Sequence, residues 1–104
     1  MKTLLLLRHA KSSWGQPELA DHNRPLNKRG KSDAPLVGKL LRKQGLVPER
    51  IISSTAQRAQ DTARLVAEAC GYEGEVELRQ ELYLSDTTCY MDILHNLPDK
   101  LDCV

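Results

Sequence analysis

The chain has 104 residues, 40% of them hydrophobic and 28% charged, with a formal net charge of +1. That length suits one domain able to bury a core of its own, and the near-neutral balance excludes the broad basic face of a general nucleic-acid binder. Phe is absent and the aromatics are Trp14, Tyr72, Tyr83 and Tyr90, so the core has to come from Leu, Val, Ile and Ala, and any anion site from locally placed Arg and Lys.

Residues 3–7 form a short, continuous apolar run that stops at Arg8-His9. This predicts a strand buried on both faces, as in a parallel sheet. The run is too short for a signal peptide or a membrane span, so a soluble, cytoplasmic protein without a membrane partner is expected. Residues 10–25 carry the breakers Gly15, Pro17 and Pro25 and read as irregular. Asn27 is a candidate cap for a helix over 27–43, with Leu36, Val37, Leu40 and Leu41 as its apolar stripe. Pro35 falls inside that pattern, so the helix either kinks or starts later. Gly45 marks its end.

Ile51-Ile52-Ser53 predicts a second short strand. A helix over 56–70 follows, with Ala59, Thr62, Ala63, Val66, Ala67 and Cys70 on its buried side and Gly71 as terminator. Val76 and Leu78 alternate with charged residues and predict a third strand. A loop then carries Glu81 and Tyr83. A third helix is expected over 87–96, capped by Asp86, and residues 101–104 open a fourth strand. Such a β-α-β-α-β-α-β order implies an α/β fold, three-layered, with a mostly parallel central sheet. The fourth strand has no helix after it in this sequence, so the expectation is a single, incomplete domain over 1–104 whose C-terminal part is missing. Cys70, Cys89 and Cys103 are odd in number and widely spaced, which fits reduced thiols better than disulfides or a zinc site.

In such a sheet the site lies beyond the C-terminal ends of the strands. Three polar clusters reach that rim: Arg8-His9, the stretch from Ser54 to Arg58, and Glu81. An imidazole flanked by Arg8 and Lys11 is either a hydrogen-bonded residue at a strand end or a nucleophile in an anion site. Neutral imidazole escapes the charge repulsion that a phosphate ester presents to anionic nucleophiles, and guanidinium groups match phosphoryl oxygens in bidentate fashion. Arg58 falls in the first turn of its helix, where a cation opposes the helix dipole. It is therefore either a solvated surface residue or one recruited to bind an anion, at a helix start that itself attracts phosphate. Neither a Gly-x-x-x-x-Gly-Lys loop nor a Gly-x-Gly-x-x-Gly turn is present, which argues against a nucleotide-binding domain. The three His residues are not at metal-ligand spacing.

Leu7-Arg8-His9-Ala10-Lys11-Ser12 resembles the Arg-His-Gly signature of the histidine phosphatase (phosphoglycerate-mutase-like) superfamily, with Ala10 in place of the usual Gly. Ser53-Ser54-Thr55-Ala56-Gln57-Arg58-Ala59-Gln60-Asp61-Thr62-Ala63 resembles the superfamily's second signature. Arg24-Pro25-Leu26-Asn27-Lys28-Arg29-Gly30 resembles the Arg-Pro-Leu-Thr-x-x-Gly segment of SixA-type phosphohistidine phosphatases. The resemblance implies a phosphatase that needs no metal or other cofactor. His9 would be the phosphorylated nucleophile, Arg8 and Arg58 phosphate ligands, and Glu81 the acid for the leaving group. Lys11, Ser12 and Arg24 would lie at the pocket rim. It also implies a second His, in a Gly-His or Ser-His pair at the end of the fourth strand, which residues 1–104 do not contain. His95, in the third helix, and His22, in the loop before Arg24, are expected to be solvated. The implied partner is a phosphohistidine-bearing protein. A small phosphate ester, or a non-catalytic phosphate- or phosphoprotein-binding role, is the alternative.

Overall fold

The computed structural model describes residues 2–104. Helix α1 spans Lys28–Lys43, strand β1 Ile51–Ser54, helix α2 Gln57–Cys70, strand β2 Val76–Arg79 and helix α3 Thr87–His95, with single 3-10 turns at Asp21–Asn23 and Gln80–Leu82. The α/β class and the parallel pairing are as expected. β1 and β2 run parallel, Ile51 opposite Val76 through Ser54 opposite Arg79. Among the described residues no helix is long and apolar enough to cross a membrane.

Helix α1 begins where its cap predicts. Asn27 accepts from the Gly30 N–H at 2.8 Å, which satisfies one of the donors a helix start leaves open. The helix then runs through Pro35 rather than starting after it. Its buried face corrects the expected stripe. Gly30, Ala34 and Gly38 are buried, whereas Leu36, Val37 and Leu40 are 58%, 37% and 52% exposed. The reason is close approach of two backbones. A Cβ on Gly38 would lie 2.5 Å from the Val66 carbonyl oxygen and 2.6 Å from the Ala69 Cβ, so α1 lays its smallest residues on α2. Large side chains there would hold the helices apart and forfeit the dispersion contacts. Helix α2 answers with Ala63, Val66, Ala67 and Cys70, all buried. It stops at Gly71, whose φ of 81° is left-handed and suits a residue without Cβ.

The expected first strand is the larger correction. Thr3 pairs with Cys103 in parallel fashion, and Leu5 N–H donates to the Val104 carbonyl at 2.7 Å. Residues 102 and 104 face residues 3–5 along one edge, and the Cys103 carbonyl accepts from Glu49 N–H at 2.8 Å along the other. Alternate carbonyls of a strand point to opposite edges, so 102–104 lies between residues 3–5 and the lead into β1. Beyond Leu5 the run finds no ladder partner among the described residues. Leu4, Leu6 and Leu7 are 46%, 78% and 45% exposed, so the run is not the doubly covered strand its composition predicts. Cys70 is buried as a small core residue, and all three cysteines are free thiols.

Candidate active site

Strand β1 delivers its last residues straight into α2. Ala56 N–H donates to Ser54 Oγ at 3.1 Å, and the Gln60 amide donates to the Thr55 carbonyl at 2.6 Å, which fixes the turn. Arg58 follows in the first turn of α2, and its side chain is only 10% exposed. That removes the surface reading. A buried guanidinium needs acceptors, and Asp21 supplies them: Arg58 Nη1 donates to the Asp21 carbonyl at 2.8 Å and Nη2 to its Oδ2 at 3.0 Å.

Asp21 gathers further donors. Arg24 reaches Oδ1 through Nε and Nη2, both at 3.2 Å, and the Tyr83 hydroxyl donates to Oδ2 at 2.6 Å. Arg24 also donates through Nη1 to Ser12 Oγ at 2.9 Å and to the Ser13 carbonyl at 3.1 Å. The Trp14 ring covers its face, with Cζ 3.5 Å from the ring centroid, a cation–π contact. His22 is half-buried rather than solvated. Its Nε2 lies 2.8 Å from Thr55 Oγ1, and its ring meets Tyr83 edge-on at 4.8 Å. The 21–24 loop is thereby clipped to the turn between β1 and α2.

His9 sits exposed at the end of the apolar run. Its Nδ1 lies 2.8 Å from the Ala10 carbonyl oxygen. A carbonyl only accepts, so in the neutral ring this contact puts the proton on Nδ1 and leaves Nε2 its lone pair. Thr62 ties this tip to α2. Its hydroxyl accepts from Ala10 N–H at 2.9 Å and donates to the Arg58 carbonyl at 2.8 Å. Arg8 and Lys11 are exposed. Lys11 is anchored by its backbone: its carbonyl accepts from Asn27 N–H at 2.9 Å and abuts Gly30, where a Cβ would collide with it. Ser12 is held by a bridge to Leu26.

The structure therefore gathers Arg58, Arg24 and Ser12 about Asp21 and links them through Thr62 to the His9 tip. Glu81 stands apart from that network. It pairs with Arg79 at 3.4 Å and lines an open cleft of about 580 Å³ with Arg50, Arg79, Asp86 and Cys89. His95 is exposed in the last turn of α3. Asp21, Thr62 and Tyr83 were not among the expected site residues. Two had a local signal. Asp21 precedes Arg24 by three residues, a spacing that favours an ion pair, and Thr62 follows Arg58 by four, where a threonine hydroxyl reaches back to a helix carbonyl. Tyr83 arrives from a distant loop and had none.

Asp21 is held at about 2 rather than the ordinary 3.8, first by the Tyr83 hydroxyl, against some desolvation, then by Arg58 and Arg24. Because its folded value lies below its unfolded one, the carboxylate stabilises the fold above about pH 3.8 and loses that contribution as pH falls through about 2. Urea midpoints measured from pH 5 down to pH 2 should fall more steeply for the wild type than for Asp21→Asn. Parallel curves would contradict the assignment.

Comparison with known proteins gives a consistent answer. The family model for the histidine phosphatase superfamily (branch 1) matches residues 4–84. An uncharacterised chloroplastic protein of Arabidopsis thaliana is 46% identical over 63 residues, covering 61% of this chain and 29% of its own length. A crystal structure assigned as the phosphohistidine phosphatase SixA of Agrobacterium tumefaciens superposes with a TM-score of 0.89 at 28% identity, over 100% of this chain and 67% of that one. A structure of the protein histidine phosphatase SixA complexed with tungstate superposes with a TM-score of 0.75 at 25% identity, over 89% of this chain and 61% of that one. The chain thus spans under a third of the plant relative's length and about two thirds of the length of these solved structures.

Proposed function

The chain belongs to the histidine phosphatase superfamily, and on that premise we propose that it removes phosphoryl groups by way of a phosphohistidine on His9, without a metal. The observation that carries this reading is the bond between His9 Nδ1 and the Ala10 carbonyl at 2.8 Å. It supports the tautomer that leaves the Nε2 lone pair free to act as nucleophile, on a tip where His9 is exposed.

In the proposed step the Nε2 lone pair attacks phosphorus, the P–N bond forms, and the bond from phosphorus to the leaving atom breaks. Arg58, with Arg8 beside His9, carries the charge on the equatorial oxygens. Glu81 protonates the leaving group once it turns from Arg79. Water then attacks phosphorus, gives a proton to the Glu81 carboxylate, cleaves the P–N bond, releases inorganic phosphate and restores both His9 and the acid. Lys11, Ser12 and Arg24 form the rim, with Arg24 serving chiefly to hold the Ser12 hydroxyl and the Ser13 carbonyl.

The proposed substrate is a phosphohistidine on a protein surface. The likeness to SixA-type structures supports this, as does the exposure of His9. The test is phosphate release from a histidine-phosphorylated protein in the presence of excess EDTA, beside a panel of small phosphate esters. Release from the phosphoprotein that EDTA leaves unchanged is the expected result. Release that returns only with added divalent metal would overturn the metal-free mechanism, and turnover of the esters alone would overturn the substrate.

A further inference from the structure

We propose that Asp21 is a positioning residue for this site: its carboxylate holds the Arg58 guanidinium in the orientation from which it binds a phosphoryl group. The inference rests on the reading of Arg58 as a phosphoryl ligand and adds the residue that makes it one.

Two guanidinium groups, of Arg24 and Arg58, are held at side-chain exposures of 9% and 10% beside one carboxylate. Uncompensated, two such buried cations would repel and turn toward water. Asp21 prevents that with both carboxylate oxygens and its own carbonyl. The two arginines are not left alike. Arg24 spends Nε, Nη1 and Nη2 on protein acceptors and lies under Trp14. Among the described residues Arg58 bonds only through Nη1 and Nη2, and no protein acceptor takes its Nε–H. The Tyr83 hydroxyl is bonded to the same Oδ2 that receives Arg58, with the Arg58 Cζ 6.0 Å from the centre of the Tyr83 ring, and orients the carboxylate. A phosphoryl group meeting Arg58 therefore finds a guanidinium already fixed in plane, with little ordering left to do on binding.

Charge and position make opposite predictions here. As a negative charge near an anion site, Asp21 should weaken anion binding, and its neutralisation should tighten it. As the support of Arg58, its neutralisation should weaken binding. The sign of the change decides.

The experiment is calorimetric titration of sodium tungstate into the 104-residue chain, wild type, Asp21→Asn, Tyr83→Phe and Arg58→Ala, each first checked for a cooperative thermal transition. The expected results are a loss of affinity of about tenfold in Asp21→Asn and about threefold in Tyr83→Phe, measured on folded protein. The Arg58 Nε–H resonance, sharp in the wild type, should broaden in Asp21→Asn. A purely structural role would lower the thermal midpoint and leave both readouts of the folded protein in place. Unchanged or tighter binding in Asp21→Asn, with Arg58→Ala weakened at least about tenfold, would overturn the inference and leave the phosphoryl-ligand reading standing. Unchanged binding in Arg58→Ala would overturn that reading and this inference with it. Should Asp21→Asn fail to fold, Tyr83→Phe decides, and wild-type affinity there overturns the proposal.

Discussion

Replacing His9 by alanine should abolish phosphoryl capture, a loss of about ten-thousand-fold or more, because removing a covalent nucleophile removes the reaction path itself. The measurement is incubation with a labelled phosphohistidine donor, an alkaline quench that preserves P–N bonds, and counting of protein-bound label. The other two histidines are poor substitutes. His22 Nε2 is engaged with Thr55 at 2.8 Å, and His95 closes the last turn of α3, outside the network about Asp21. Label persisting at wild-type level on His9→Ala would place the nucleophile elsewhere.

The second large effect is expected at Arg58. Its replacement by alanine should slow single-turnover capture by about a hundred- to a thousand-fold, the range seen when one preorganised donor to a developing charge is lost. Lysine should restore only part of this, since an ammonium group cannot reproduce the two-point match of a guanidinium to phosphoryl oxygens. Arg58→Ala also leaves Asp21 with Arg24 and Tyr83 as its remaining side-chain partners. Rate should therefore be compared at a temperature where both proteins are folded. A slowing of less than about threefold would remove Arg58 from the phosphoryl site.

Much of the fold could be read residue by residue where a local rule governs. Asn27 and Asp86 cap their helices as expected, each accepting from the backbone N–H three residues on. Gly71 ends α2 in the left-handed conformation, and Val76 and Leu78 lie in a strand. What escaped depended on partners distant in sequence. Leu36, Val37 and Leu40 look like the packed stripe of α1 by hydrophobicity. The stripe that packs is Gly30, Ala34 and Gly38, because how closely α2 approaches decides the face, and hydropathy carries no record of distance. The 3–7 run has the composition of a doubly covered strand, but coverage is a property of the other layers. The run pairs with 102–104 and stays exposed at Leu4, Leu6 and Leu7.

The site divides in the same way. His9 and Arg58 stand out as candidates in the sequence because each breaks a local expectation, an imidazole ending an apolar run and a cation in the first turn of a helix. The dipole cost at Arg58 pointed away from a solvated surface residue, and the structure buries its guanidinium against Asp21. Asp21 itself looked like one more loop acid. It gains its meaning from Arg58, 37 residues later, and from Tyr83, 62 residues later, separations at which no local pattern operates. Glu81 shows the converse. Its position after a strand fits an acid near the rim, and the structure pairs it with Arg79 in a cleft beside α3.

The proposed mechanism depends on the Ala10 carbonyl selecting Nε2 of His9 as the nucleophile. Phosphorus NMR of the phosphorylated chain at alkaline pH tests it most directly, because phosphate on the two imidazole nitrogens gives distinct resonances. A single signal from Nε2-phosphohistidine, absent from His9→Ala, is the predicted result. A signal from Nδ1-phosphohistidine, or from any residue other than His9, would contradict it.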